Sequence, residues 1–260
     1  MADDFTGKVA VVTGGANGIG RATAERLVAD GACVVVADVD VDLGEKVAGG
    51  LGERAAFKQT DVADPDQVHE LVAFAVDRFG GLQVMCNVAG VSGSLRRFLD
   101  DDLRDFPRVV AVDLFGVLAG SRAAALHMAN HGGGAIVNIT SGAGVTPGVG
   151  MLPYRAAKAG VAHFTRCLAV ELGEHGIRAN AVAPANIATD INAAFDKSAV
   201  TRLQPLAHQG RPGDVVEAVA YLASDRAAHV TGVVLTVDGG MAVGTPPRSR
   251  TNRDHQEVQP

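Results

Sequence analysis

The sequence of 260 residues has no tryptophan, two tyrosines and three cysteines, and only 4% of it is aromatic. Cys33, Cys86 and Cys167 stand far apart, without metal-ligand spacing or pairing pattern. That excludes a disulfide scaffold and a cysteine-rich zinc module, and the apolar surroundings predict three buried free thiols in a reducing compartment. Basic residues are also in short supply, with 23 Lys and Arg against 29 Asp and Glu for a net charge of -6. Phosphate backbones demand a basic face, so nucleic acid is not an expected partner. The opening segment 1–6 has neither the basic nor the apolar region of a signal peptide. No apolar run reads as long enough to span a bilayer, so no membrane partner is expected and the expected location is cytoplasmic.

What is present is aliphatic. Hydrophobic residues make up 47% of the chain, which is enough for a large core. Short apolar, β-branched runs at 8–13, 33–38, 55–58, 82–87, 134–140, 177–183 and 233–237 predict strands. Longer amphipathic runs at 19–30, 42–51, 65–79, 103–130, 153–175 and 212–223 predict helices between them. Continuous apolar strands alternating with helices imply right-handed βαβ units. The predicted fold class is α/β: one domain over residues 1–243, a doubly wound parallel sheet of about seven strands with helices on both faces. Residues 244–260 are polar, contain Pro246 and Pro247, and read as a flexible tail or an arm onto a neighbour.

The first strand runs directly into T-G-G-A-N-G-I-G, Thr13 to Gly20. Gly14, Gly18 and Gly20 permit a tight turn and close backbone approach, and the helix that follows aims free N–H groups and a positive dipole end at the same spot. A pyrophosphate fits there, and the strand–turn–helix context is the one this motif requires. Asp38 ends the second strand, 18 residues after Gly20. A carboxylate at that offset accepts hydrogen bonds from adenosine ribose hydroxyls and repels a 2′-phosphate. No Lys or Arg stands at positions 15–17 or 39–40 to offset the repulsion. The expected cofactor is therefore NAD.

Tyr154 and Lys158 are four apart early in a predicted helix, on one face. With two tyrosines and five lysines, chance predicts only about 0.04 such pairs. A phenol titrates near pH 10, and an adjacent ammonium lowers that value, so Tyr154 can serve as an acid–base group. Ser141 ends the strand upstream, where its hydroxyl can bond a reacting oxygen.

In this order the residues resemble the short-chain dehydrogenase/reductase family, from about Thr6 to Gly240. The resemblance implies a Rossmann-type fold. It assigns Gly14, Asn17, Gly18, Ile19, Gly20 and Asp38 to the cofactor, and Asp61 and Val62 to its adenine. Asn87, Ala89 and Gly90 match the family's N-x-A-G element. Ser141, Tyr154 and Lys158 match its catalytic residues, with the usual 13-residue step from Ser141 to Tyr154. Tyr154 and Lys158 also count among the cofactor contacts. Pro184, Ile187 and Thr189 match the loop over the nicotinamide, and Val237-Asp238-Gly239-Gly240 matches a C-terminal signature. The family's habit also implies a homotetramer built through residues 103–130, 153–175 and 212–223 and the last strand.

Three positions depart from the pattern. Val88 replaces a second Asn, Ala185 replaces the Gly after Pro184, and Asp113 stands where the family has a catalytic Asn. The reaction implied is hydride transfer between NAD and a secondary alcohol or ketone, on a small-molecule substrate. The alternatives are an NADPH-dependent ketoacyl-type reductase and a non-catalytic NAD sensor. His127 and His131 are four apart, but no HExxH pattern or third ligand accompanies them, so no metal site is expected. Leu95, Phe98, Val145, Val149, Met151, Leu152, Ile191, Phe195, Leu203 and Leu206 predict an apolar pocket for a cyclic, steroid-like, terpenoid or fatty alcohol. Arg96 and Arg97 offer an acidic substrate a second possibility.

Overall fold

The computed structural model describes residues 4–189 and 204–245. Seven strands form its centre: β1 Val9–Thr13, β2 Cys33–Asp38, β3 Ala55–Gln59, β4 Val84–Asn87, β5 Gly134–Ile139, β6 Ile177–Pro184 and β7 Val234–Val237. Their order is β3-β2-β1-β4-β5-β6-β7, and every pairing is parallel. The chain reverses its winding between β1 and β4, which opens a crevice at the carboxyl ends of those strands. All seven predicted strands are present, with ends shifted by one or two residues.

The sheet is covered on both faces because its central strands are apolar on both. Along β1, Ala10 and Val12 join a core with Ala24 and Leu27 of α1 (Gly18–Ala29), Val47 and Ala48 of α2 (Val41–Leu51), and Val215 and Val219 of the helix Pro212–Ala223. Val9 and Val11 point the other way. They meet Leu71 and Ala75 of α3 (Pro65–Phe79), Met128 of the central helix and Ala169 of the helix Leu152–Leu172. This is the two-residue alternation of a strand serving two cores. Local chemistry sets the helix ends. The Asp64 carboxylate caps α3 at the Asp66 and Gln67 N–H groups, Pro65 takes the first turn, and Gly80 closes the helix in the left-handed conformation at φ 87°.

The central helix differs from the continuous run over 103–130. It consists of α4 (Phe106–Val110), a π-turn (Ala111–Phe115) and α5 (Gly116–Met128). Leu103 lies outside it at φ 55°. The short α6 (Gly142–Val145) was not foreseen; it is followed by α7 (Leu152–Leu172) and α8 (Pro212–Ala223). Two further expectations need correction. Residues 106–128 are long and apolar enough to cross a membrane by length and composition, but half of that stretch is buried against the sheet, as in a core helix. Cys86 is buried and Cys33 partly so, but Cys167 is exposed, because helical periodicity puts it on the outer face of α7 beside Arg166 and Val170.

Candidate active site

The carboxyl ends of β1, β2, β4, β5 and β6 open onto a cavity of about 900 Å³. On one side it is built from backbone. Gly14 sits at φ 64°, and a Cβ there would come within 2.8 Å of the Ala89 Cα, so the turn after β1 and the strand end at β4 touch. Thr13, buried at the end of β1, accepts hydrogen bonds through its hydroxyl from the N–H groups of Val88 (3.0 Å) and Ala89 (3.2 Å). The Asn17 side chain caps α1 by accepting from the Gly18 N–H at 2.7 Å, so the amino end of α1 opens at the cavity wall. Asp38 accepts from the Ala16 N–H (3.0 Å) and the Asp40 N–H (3.1 Å), which aims the carboxylate at the rim beyond β2. Gly14, Asn17, Gly18, Ile19, Asp38, Asp61, Val62, Ala89 and Gly90 all line the cavity.

Gly20 and Asn87 do not line it. Gly20 is a packing position, where a Cβ would lie 2.0 Å from the Gly14 carbonyl oxygen. The Asn87 side chain turns into a buried network behind the wall, donating to Asn138 Oδ1 (2.8 Å) and Ser121 Oγ (3.1 Å), and Asn138 in turn donates to Thr165 Oγ1 (2.9 Å). These bonds tie β4, α5, β5 and α7 together.

On the other side the wall carries reactive side chains. Ser141, Tyr154, Lys158 and Asp113 line the same cavity, as do Pro184, Ile187 and Thr189. Ser141 follows β5 and caps α6 by accepting from the Ala143 N–H at 3.1 Å, which leaves its hydroxyl proton free to donate. The Lys158 ammonium, almost fully buried, lies 3.0 Å from Asp113 Oδ1, 5.7 Å from the centroid of the Tyr154 ring, and donates to the Ile139 carbonyl at 3.1 Å. Asp113 sits in the π-turn with no exposure and also accepts from the Val91 N–H at 3.3 Å. Burial holds its carboxyl above the usual range, and the neighbouring Lys158 offsets this only in part. A single-turn π-bulge at a functional site is a recurrent device, and here it turns an acid into the cavity.

The expected pocket residues fared unevenly. Met151 lines the cavity, held in the left-handed region at φ 55° with its N–H donating to Ser94 at 3.0 Å. Leu95, Phe98, Val145, Val149, Leu152 and Leu206 do not line it, and all but Leu152 are among the exposed large apolar side chains. Ile191, Phe195 and Leu203 lie outside the described residues. Sequence reasoning missed Val112, Arg155, Met241 and Thr245 as lining residues, and Gln209 just past the expected loop. For Met241 a signal existed. The Asp238 carboxylate accepts from the Gly240 (2.9 Å) and Ala242 (2.8 Å) N–H groups, so the V-D-G-G signature is a turn that brings the next residue to the cavity. The left-handed position after β6 is Asn186, at φ 50°, so Ala185 fits without strain where the family has Gly.

Comparison with known proteins places the chain in a family. A family model described as enoyl-(acyl carrier protein) reductase matches residues 14–242. The chain is 42% identical over 246 residues to cis-4-hydroxycyclohexanecarboxylate dehydrogenase of Sinomonas cyclohexanicum, covering 92% of this chain and 98% of that one. It is 36% identical over 242 residues to cyclohexanol dehydrogenase of Acinetobacter sp. (strain SE19), covering 92% and 96%. A solved short-chain type dehydrogenase/reductase from Mycobacterium ulcerans superposes with a TM-score of 0.89 at 30% identity, over 94% of this chain and 92% of that one. The chain belongs to the short-chain dehydrogenase/reductase family of oxidoreductases.

Proposed function

We propose that this protein is an NAD-dependent enzyme that moves a hydride between the nicotinamide and a cyclic, largely apolar secondary alcohol or its ketone. One observation carries the reading: a single cavity joins the glycine turn and Asp38 to Ser141, Tyr154 and Lys158. β2, which ends in Asp38, and β5, which leads to Ser141, are separated by three strand spacings, about 14 Å, a span that suits an extended dinucleotide. The substrate class follows the two cyclohexane-ring relatives, whose names state such substrates.

The residues present fit the cofactor. The Gly14–Ala89 approach leaves room for a pyrophosphate against backbone at the amino end of α1. Asp61 and Val62 line the cavity where they would flank the adenine, and Pro184, Ile187 and Thr189 where they would cover the nicotinamide. Among the described residues, the basic side chains lining the cavity are Lys158 and Arg155, both from α7 and neither near Asp38 in the fold. No cation therefore stands ready for a 2′-phosphate, and this favours NAD over NADP.

When bound, the nicotinamide takes or supplies the hydride. In alcohol oxidation the Tyr154 phenolate accepts the hydroxyl proton as the carbon–hydrogen bond gives up its hydride; in ketone reduction the phenol returns that proton to oxygen. Ser141 donates to the same oxygen. Lys158 spends two of its three donors on Asp113 and Ile139, and the third is available to a ribose hydroxyl. We further propose a homotetramer; Phe115, Leu126 and Val170, exposed around α5 and α7, supply apolar surface for it, and light scattering at micromolar concentration tests that.

The test of function is an absorbance screen of secondary alcohols and ketones with NAD and NADP, with calorimetry of both nucleotides. The expected result is turnover of ring alcohols and at least about tenfold tighter binding of NAD, since a carboxylate near a phosphate is strongly repelled. Equal affinity for the two nucleotides overturns the cofactor reading. No turnover of any ring alcohol or ketone overturns the substrate reading.

A further inference from the structure

In this cavity a lysine expected to carry a net positive charge to Tyr154 is already paired. The Lys158 ammonium and the Asp113 carboxylate are 3.0 Å apart, with side-chain exposures of 3% and 0%. Every hydrogen bond made by that carboxylate among the described residues comes from a donor: the Lys158 ammonium and the Val91 N–H, which reaches both oxygens at 3.3 Å. A carboxyl met by an ammonium at 3.0 Å and by a main-chain N–H is placed as an acceptor, so the geometry suits an ionised Asp113. The pair is also enclosed. A Cβ at Gly90 would lie 2.7 Å from Asp113 Oδ1 and 3.4 Å from Lys158 Nζ. The π-turn over Ala111–Phe115 on one side and α7 on the other leave the two groups little room to part.

The charged and titratable groups around Asp113 are few. Lys158 faces it from α7, and the Tyr154 ring centroid lies 5.7 Å from that ammonium. Arg108 on α4 acts from farther away, with its guanidinium donating to the Ser92 carbonyl at 2.9 Å. Tyr154 therefore stands beside an ion pair with no net charge, in place of a lone cation. An unmasked ammonium stabilises the phenolate; a paired one does so much less.

We propose that Asp113 is a positioning residue: it fixes the Lys158 ammonium and masks its field at Tyr154, so that the phenol stays protonated to higher pH and the site is set toward ketone reduction near neutrality. This rests on Tyr154 being the acid–base group. In that direction Tyr154 O–H gives its proton to the carbonyl oxygen while the carbon receives a hydride from the reduced nicotinamide; the alcohol leaves, and water reprotonates the phenolate. The reverse reaction begins from phenolate and so belongs to alkaline pH.

The chain offers a direct measurement that needs no turnover. It has no tryptophan and two tyrosines, and the second, Tyr221, sits partly exposed on α8, outside the cavity. In a Tyr221→Phe background the ultraviolet absorbance of phenolate reports Tyr154 alone. Titrating that protein with and without Asp113→Asn should show the midpoint falling by roughly one pH unit or more once the carboxylate is gone. The rising limb of alcohol oxidation should move to lower pH by the same amount. If Asp113→Asn does not fold, Asp113→Ser, smaller and still able to accept from the Val91 N–H, is read the same way. A midpoint that stays put or rises overturns the proposal, even if turnover changes, since a merely structural Asp113 would alter rates and leave the titration where it was. A shifted midpoint in a protein that turns over no alcohol or ketone keeps the electrostatic inference and sinks the functional reading instead.

Discussion

The two halves of the cavity are made of different material. The half we propose for the nucleotide is backbone held by backbone: β1 is buried at every position, Gly14 abuts Ala89, and the Thr13 hydroxyl and Asp38 carboxylate are both engaged by main-chain N–H groups. The half we propose for the substrate includes a loop that one side chain ties to α7. Arg155 donates to the carbonyls of Gly150 (3.0 Å), Thr146 (3.1 Å) and Ala143 (3.4 Å), while Val145 and Val149 on that loop stay exposed. A ligand common to many enzymes can be met by a rigid surface. A ligand that differs between them calls for a segment whose side chains can change without disturbing the sheet.

Mutations in each half sharpen the contrast. The largest effect is expected in the substrate half, where Tyr154→Phe should lower turnover at least about a hundredfold while calorimetry finds nucleotide affinity nearly unchanged. Next comes the nucleotide half. Gly14→Ala places a methyl against the Ala89 backbone at a positive φ, so denaturant unfolding should show a loss of about 2 kcal/mol or more, together with weakened nucleotide binding. Arg155→Met should be milder and one-sided, raising the substrate KM several-fold and leaving nucleotide affinity alone. Equal damage to both would show that the halves are not separable.

The smallest effect belongs to neither half. His127 on α5 stacks on His131, their ring centroids 4.0 Å apart, and its buried Nε2 has no hydrogen-bond partner among the described residues. Burial, then the neighbouring imidazole, hold His127 below the usual histidine range. A lowered folded-state value means that protonation favours the unfolded chain. Stability is complete above the ordinary value of about 6.5 and is lost as pH falls from there through the folded value. Thermal scans across that window should show a slight decline that His127→Gln flattens.

Much of this was readable beforehand, for physical reasons. Strands buried on both faces announce themselves as unbroken aliphatic runs, so all seven were located, and the glycine turn, Asp38 and the Tyr154–Lys158 step follow from spacing alone. What escaped was geometry that spacing does not encode. The π-turn leaves no mark on an apolar helix, so the direct contact of Asp113 with Lys158 was open. Asn87 has the same motif position whether it faces a ligand or a buried network, and Gly120, which would clash with its Oδ1 at 2.1 Å if it bore a Cβ, gave the only hint. Apolar residues in the loops suggested a lining, but five of the seven among the described residues face outward, because a loop lacks the periodicity that tells inside from outside.

The strand order also has a bearing on how the molecule comes to exist. The Thr13 hydroxyl meets Val88, 75 positions later, and β1 lies between β2 and β4. Such pairings close long loops before they return any energy, so assembly is expected to be slow. A nucleotide seated at these strand ends engages the finished sheet. By mass action it draws the chain toward that state, which makes the cellular supply of cofactor a determinant of the enzyme's lifetime as well as of its rate.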